Sequence, residues 1–279
     1  MERYHQEYGL SFLCRHFGVS RSGYYAWKER PMSKRMKANR ALLQQIVTIH
    51  EKSHQTYGSP RVFKALKKDD IVCSEKRVAR LMRNAHLQGR VVKVTRRAPG
   101  VQRFYERHAN LRLTHPSPST INQQWVGDVT FLRVQGQQCF LSAVMDLYSR
   151  KILGWSLGRD RTMRLTTRAF IQALKYRTPA PGCIFHSDRG VEYGGAAYVD
   201  RLKRHGFLVS MNRSYHSQDN AHMESFFHTL KAEWIRGRSF EDFDHLQAGL
   251  RTYMRFYNRH RLHSGIDYHT PLEYERIRD

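Results

Sequence analysis

The chain has 279 residues, 40% of them hydrophobic and 12% aromatic, which is enough apolar material for packed cores and excludes a wholly disordered chain. Lys and Arg number 48 against 24 Asp and Glu, a formal net charge of +24. A surplus of that size repels itself in the compact state and suits a polyanionic partner. No run approaches the ~20 apolar residues of a membrane helix, and the first ten residues lack a signal peptide's apolar core. Cys14, Cys73, Cys139 and Cys183 form no CxxC pair, which argues against a disulfide scaffold or a Cys-based zinc finger. The class expected is an intracellular, soluble, basic protein of two or three domains, with no membrane partner.

The charge is uneven along the chain. Residues 1–120 hold 25 Lys and Arg against 8 Asp and Glu, whereas residues 121–279 hold 23 against 16. The front is therefore the candidate for gripping phosphate. The back keeps carboxylates, which are poor tools for binding DNA and suggest metal chemistry.

Residues 1–87 read as short helices. LSFLCRHFGVSRSGYYAWKER has helical apolar spacing, a break at Gly18 and Ser20 as N-cap, a pattern shared by a helix-turn-helix and by a plain helical packing unit. A longer helix follows near Ala38 to His50. Next comes a second pair, striped by Val62 and Leu66, then by Val78, Leu81 and Met82, with Ser74 as N-cap. Its helices carry Arg61, Arg77 and Arg80 among other cations, which points to DNA; the alternative is a solvated basic face. Residues 88–124 read as a basic linker with no sustained period, holding Arg96, Arg97 and three prolines. It can track a DNA backbone or serve as a tether.

From Trp125 the texture changes. WVGDVTFLRV alternates, with Val126, Asp128, Thr130 and Leu132 on one face. CFLSAVMDLY and KILGWSL complete an expected antiparallel meander. A helix (MRLTTRAFIQALKYR), a strand (CIFHSD), a helix, a strand (FLVS) and a long helix (DNAHMESFFHTLKAEWIRG) follow, with one more helix after them. The order β-β-β-α-β-α-β-α is that of an α/β layered fold with a mixed sheet, over residues 125–279.

Three carboxylates stand out there. Asp128 interrupts an apolar strand. Asp188 ends a strand just before Arg189 and Gly190, where α/β sheets place their sites. Glu224 shares a helix face with Asn220, His228 and Lys231. Alone, each reads as readily as a satisfied strand residue, a turn or a solvated face. Together, in one basic α/β domain, they can converge on a hard divalent cation such as Mg²⁺ or Mn²⁺.

These residues carry a resemblance. The chain resembles the transposases of bacterial insertion sequences with a retroviral-integrase-like catalytic core. Asp128 stands in WVGDVT, matching the family's W-x-x-D-(V/I)-T. Asp188 stands in HSDRGVEY and Glu224 in DNAHMESFFHTLK, with 35 residues between them, the spacing of the DD(35)E type. MDLYSRKILGW and YNRHRLHSGIDYHTPLEYE resemble further family signatures. YGSPRV and KRVARLMR resemble the helical region of the second-frame product of elements with two overlapping frames. The chain departs from the pattern at SQDN before Ala221, where a Cys-Trp or similar pair is expected, and at VEY after Gly190, where Ser or Gln is commoner. The zinc module of retroviral integrases is not visible.

The resemblance implies a ribonuclease-H-like core with a mixed five-stranded sheet and flanking helices, preceded by an all-α helix-turn-helix region. It implies two Mg²⁺ or Mn²⁺ ions per site held by Asp128, Asp188 and Glu224, nicking at element ends, and strand transfer by the freed 3′-OH. Lys231 matches a position used on DNA; Arg189 and Asn220 are further candidate contacts. His186 and His222 are candidates for shaping the site. The implied partners are double-stranded DNA, further copies of the chain and the upstream-frame product as a fusion, at the nucleoid in the bacterial cytoplasm. A hydrolysis-only nuclease and a DNA-binding regulator of transposition are the competing readings.

Overall fold

The computed structural model describes residues 1, 4–90, 108–214 and 216–278. The front forms two helical units. In the first, α1 (His5–Tyr8), α2 (Leu10–His16) and α3 (Arg21–Lys28) follow one another. Gly18 sits at φ +65°, the left-handed conformation that stops α2, and the Ser20 hydroxyl caps α3 by accepting from the Gly23 amide at 3.0 Å. This unit buries little beyond Leu13, Cys14 and Tyr24, and leaves Phe12, Phe17, Tyr25 and Trp27 exposed.

The second unit has a true core. α4 (Lys34–Lys52), α5 (Ser59–Lys68) and α6 (Glu75–Asn84) bury Ile46, Val62, Leu66, Val78 and Met82 against one another. Ser74 caps α6, as its spacing suggested, by accepting from the Arg77 amide. The core is completed by Leu262, far away in sequence. The Tyr57 hydroxyl accepts from the Leu262 amide at 2.7 Å and donates to the His260 carbonyl at 3.0 Å. The C-terminal segment thus belongs physically to both halves of the chain, although periodicity assigned it to one.

The second half is built on a five-stranded sheet. β1 (Gln124–Val134), β2 (Gln137–Asp146) and β3 (Ile152–Gly158) form the expected antiparallel meander. α7 (Met163–Tyr176) then crosses to β4 (Ile184–Ser187), which pairs parallel to β1. α8 (Val191–Gly194) and α9 (Ala196–Arg204) lead to β5 (Leu208–Met211), parallel to β4, and the strand order is β3-β2-β1-β4-β5. Together with α10 (Ala221–Leu230), α11 (Phe243–Arg259) and α12 (Pro271–Arg278), this is the ribonuclease-H-like arrangement implied by the sequence.

Strand alternation sorts the two cores. Val126, Leu132 and Val134 of β1 face α10 and α11, packing with Met223, Phe226, Leu250 and Tyr253. Trp125, with Val129 partly buried, faces the other way, against Phe170, Phe185 and Tyr198. Gly127 permits that second layer to approach, because a Cβ there would meet the Phe185 ring at 2.8 Å.

Two expectations are corrected by the structure. Residues 108–123 are not a free tether: the Met211 amide donates to the Ala109 carbonyl, the Leu111 amide to the Ser210 hydroxyl at 2.9 Å, and the Gln124 side chain to the Pro116 carbonyl at 2.8 Å. The long helix expected around Glu224 is three pieces, a 3-10 turn over Ser217–Asn220, then α10, then a π turn over Lys231–Ile235. Local apolar spacing does not distinguish a regular helix from one carrying a widened turn.

Candidate active site

Asp128 lies in β1 with the parity of Val126 and Thr130, so it faces α10. Its Oδ1 accepts from the Val129 amide at 2.7 Å. Asp188 follows the last residue of β4, the neighbour of β1, and caps the next turn by accepting from the Gly190 amide at 3.0 Å. Sheet pairing therefore places the two carboxyls side by side.

Both acids hold their protons more tightly than usual. Burial is the main cause for Asp128, with repulsion from Asp188 next and a weaker push from Glu224. Asp188 is pushed up to about 6, again by burial first and then by the Glu192 carboxylate. Glu224 projects from the first turn of α10 and is exposed. The fold thus brings Asp128 and Asp188 together, with Glu224 near enough for its charge to be felt. Among the described residues, no three His, Cys, Asp or Glu side chains are drawn together closely enough to hold a metal ion as they stand. The donor chemistry suits a hard divalent cation, because carboxylate oxygens are hard ligands.

Two residues at this site carried no expectation. Arg161, on the loop between β3 and α7, donates from Nε to Glu192 at 2.6 Å and pairs with it through Nη2. The same Nη2 lies 3.6 Å from Asp188 Oδ2. Glu192 is buried, with 2% of its surface exposed. Arg161 is thus a tethered cation that partly offsets the acid pair. The departure VEY, where Ser or Gln is commoner, was the one sequence signal for Glu192; nothing marked Arg161.

The expected DNA contacts divide into two groups. Arg77 and Arg80 line one cleft of about 610 Å³ with Lys34, Arg35 and Lys76, at the start of α4 and α6. The other described ones turn inward. Arg189 is buried, donating to the Asn212 carbonyl at 2.5 Å and the His108 carbonyl at 3.3 Å, so it ties residue 108 and β5 to the active-site turn and does not present a phosphate contact. Asn220 is buried and donates to the Gly127 carbonyl at 3.0 Å, fixing the start of α10 beside Asp128. Lys231 donates to the Thr130 hydroxyl at 2.6 Å and packs over the Phe131 ring. Arg61 faces Glu233 at 3.5 Å. Arg96 and Arg97 lie outside the described residues.

His186 is fully buried between the Ser210 hydroxyl at 2.8 Å and the Asn212 side-chain oxygen at 2.7 Å. Burial and Arg112 lower its pKa to about 4, so it works as a neutral strut.

Comparison with known proteins locates the chain. An Integrase core domain model matches residues 118–217, a second Integrase core domain model matches 205–271, and an HTH-like domain model matches 37–95. The Transposase InsF for insertion sequence IS3A of Escherichia coli (strain K12) is 34% identical over 283 residues, covering 99% of this chain and 96% of that protein. The chain belongs to the IS3 family of transposases. The Insertion element IS600 uncharacterized 31 kDa protein of Shigella sonnei is 33% identical over 263 residues, covering 94% and 97%. Among solved structures, the integrase catalytic core domain of HTLV-2 in complex with magnesium aligns at a TM-score of 0.41 and 16% identity, over 56% of this chain and 98% of that one. The simian T-cell lymphotropic virus intasome aligns at 0.49 and 11%, over 82% and 74%. The integrase-core match begins before β1 and ends in the 3-10 turn that precedes α10, so it spans Asp128 and Asp188 of this transposase; the second spans Glu224. No helix among the described residues of the transposase is long and apolar enough to cross a membrane.

Proposed function

We propose that this chain transposes DNA through metal-dependent phosphoryl transfer, nicking at element ends and joining the freed 3′-OH to target DNA. The observation that carries this reading is the adjacency of Asp128 in β1 and Asp188 at the end of β4, both half-buried, with the charges of Asp188 and Glu224 acting on Asp128.

Asp128, Asp188 and Glu224 would hold Mg²⁺ or Mn²⁺, as two ions, which when bound ease formation of an oxygen nucleophile and offset charge on the departing 3′ oxygen. The rest is the work of the chain's own residues. Asn220 holds the start of α10, the helix that carries Glu224, against β1 beside Asp128. Arg161, tethered by Glu192 and 42% exposed in its side chain, stands ready to meet a phosphate oxygen at the rim. In nicking, the oxygen of water forms a P–O bond as the bond to the 3′ oxygen breaks. In joining, the 3′ oxygen forms the new bond and a target-strand oxygen leaves. One phosphodiester replaces another, so joining needs no external energy source.

The cleft of Arg77 and Arg80 supplies backbone grip, since clustered cations near helix starts suit phosphate. Two DNA ends must be joined in one event, so the active form is an oligomer on DNA.

The test is incubation of the purified full chain, Mg²⁺ or Mn²⁺ and DNA carrying the gene's native flanks, with Asp188→Asn and Glu224→Gln alongside. New 3′ ends and joined products at discrete positions, lost in both variants, are expected. Scattered nicks without joining would establish a hydrolytic nuclease instead. DNA binding with no chemistry, even when the upstream frame is fused on, would establish a regulator.

A further inference from the structure

Beside α10 lie two neighbouring cavities of about 230 and 280 Å³ that share Arg150 and His222 in their walls. Arg112 lines the first, while Arg61, Arg261 and His263 line the second. Among the described residues no carboxylate lines either one. His222 precedes Glu224 by two residues, which at 100° per residue puts it on the opposite side of the helix. The cavities are therefore separate from the aspartate pair.

The charge there is not balanced. Arg61 and Arg261 share a single carboxylate, Glu233. Arg112 donates to a carbonyl, that of Asp219. Arg150 makes no ion pair among the described residues, and its Nη1 is buried with no hydrogen-bond partner among them. A guanidinium partly removed from water with no ion-pair partner is costly, and burial weakens its hold on the proton more than the nearby Asp146 strengthens it.

The backbone also bears a cost at this residue. Arg150 sits at φ +63° in the turn between β2 and β3, a conformation that Gly or Asn adopts more cheaply. Asp146 fixes that turn, accepting from the Tyr148 and Ser149 amides at 3.0 Å while its carbonyl accepts from the Arg150 amide at 2.9 Å. A cation with a buried, unpartnered nitrogen, held at a cavity wall by a fixed turn, is placed to meet an anion.

We propose that the cavities flanking Arg150 take a backbone phosphate of bound DNA, on the side of α10 away from the metal-binding acids. This rests on the DNA-transposing reading. A guanidinium fork matches phosphate oxygens in pairs, and cavities of this size admit a phosphate and its sugar but not a base pair. Three sequence signatures meet there: MDLYSRKILGW supplies Arg150, DNAHMESFFHTLK supplies His222, and YNRHRLHSGIDYHTPLEYE supplies Arg261 and His263. The site would grip a strand as it passes around α10.

The test measures DNA affinity of the full chain by fluorescence anisotropy between 50 and 200 mM salt, for wild type, Arg150→Gln and Arg150→Lys, with Arg112→Gln as a second probe of the same wall. Melting temperatures are read with and without inorganic phosphate. For Arg150→Gln the slope of log affinity against log salt falls by about 0.9, the share of one phosphate, with weaker binding at each salt, while Arg150→Lys keeps the slope. Without DNA, Arg150→Gln melts at or above wild type, and phosphate raises the wild-type melting temperature more than that of the variant. An Arg150 that merely props the fold would show the reverse, a lower melting temperature and an unchanged salt slope, and would overturn the proposal. A phosphate effect on melting with no change in slope would also overturn it, by assigning the site to a free anion. Should Arg150→Gln fail to fold, the slopes of Arg112→Gln and Arg150→Lys decide. Failure of the wild type to bind DNA sinks the transposing reading itself, and is seen before any variant is compared.

Discussion

Two acidic centres in this molecule are treated in opposite ways. Glu233 is buried and met by a fork from Arg261, with Nε and Nη2 each at 2.7 Å, and Arg61 stands 3.5 Å away. Asp128 and Asp188 are half-buried, yet they lie near one another, and the neighbouring cation Arg161 is engaged mainly by Glu192. A carboxylate with its charge answered is part of the scaffold. The aspartate pair has no such fork, only Arg161 at 3.6 Å from Asp188, so its charge is left largely unanswered. The same contrast holds for cations, since Arg261 is answered and Arg150 is not.

The largest effect should come from the unanswered pair. Asp128→Asn should slow nicking and joining by about 10³-fold or more, equivalent to about 4 kcal/mol of barrier, while DNA binding by gel shift is retained. Loss of DNA binding along with activity would make Asp128 structural and break the contrast.

Next comes the answered centre. Arg261→Ala leaves Glu233 buried without its fork and should destabilise the protein by about 3–5 kcal/mol, read from the urea midpoint. A shift under about 1 kcal/mol would show Glu233 to be far better hydrated than its burial implies.

A third effect depends on pH. The folded-state pKa of Asp188 is raised from 3.8 to about 6, so the folded protein binds a proton that the unfolded chain releases. That contribution to stability is present below pH 4 and is lost as pH rises to about 6. Metal-free Asp188→Asn should therefore gain stability over wild type between these pH values, by about 3 kcal/mol at pH 7. Mg²⁺ should raise the wild-type melting temperature at pH 7.5 more than that of the variant. A constant difference between the two proteins from pH 4 to 7.5 would refute the linkage.

Smaller effects sharpen the comparison. Arg161→Gln removes a cation competing for Asp188 and should lower the Mg²⁺ midpoint of that melting shift about threefold, in line with a partly exposed ion pair. Arg61→Gln, whose partner Glu233 already has its fork, should cost less than about 1 kcal/mol. If it cost as much as Arg261→Ala, the two arginines would be one unit.

Local patterns in the chain determined a good deal. Alternation in WVGDVTFLRV placed Asp128 on the face of Val126, and that is its face in β1. Ser20 and Ser74 cap their helices because a hydroxyl at that position meets an amide of the first turn whatever surrounds it. The length and spacing of the acidic motifs sufficed to identify the family. These features repeat over a few residues, so short-range geometry settles them.

Tertiary structure decided the rest. The sequence marks Arg189 and Asn220 as polar and near the acids, but not that their side chains run inward to the carbonyls of Asn212 and Gly127. Nothing near Glu233 announces Arg261, 28 residues on, or Tyr57, whose hydroxyl joins the helical unit to Leu262. The loop that carries Arg161 meets Glu192 only because α7 crosses the sheet before β4. A side chain's polarity is encoded locally, whereas the charge that answers it comes from whichever distant segment the packed core brings alongside. That is why the elements and acids were legible in the chain, and the partners that make one acid structural and leave another open were not.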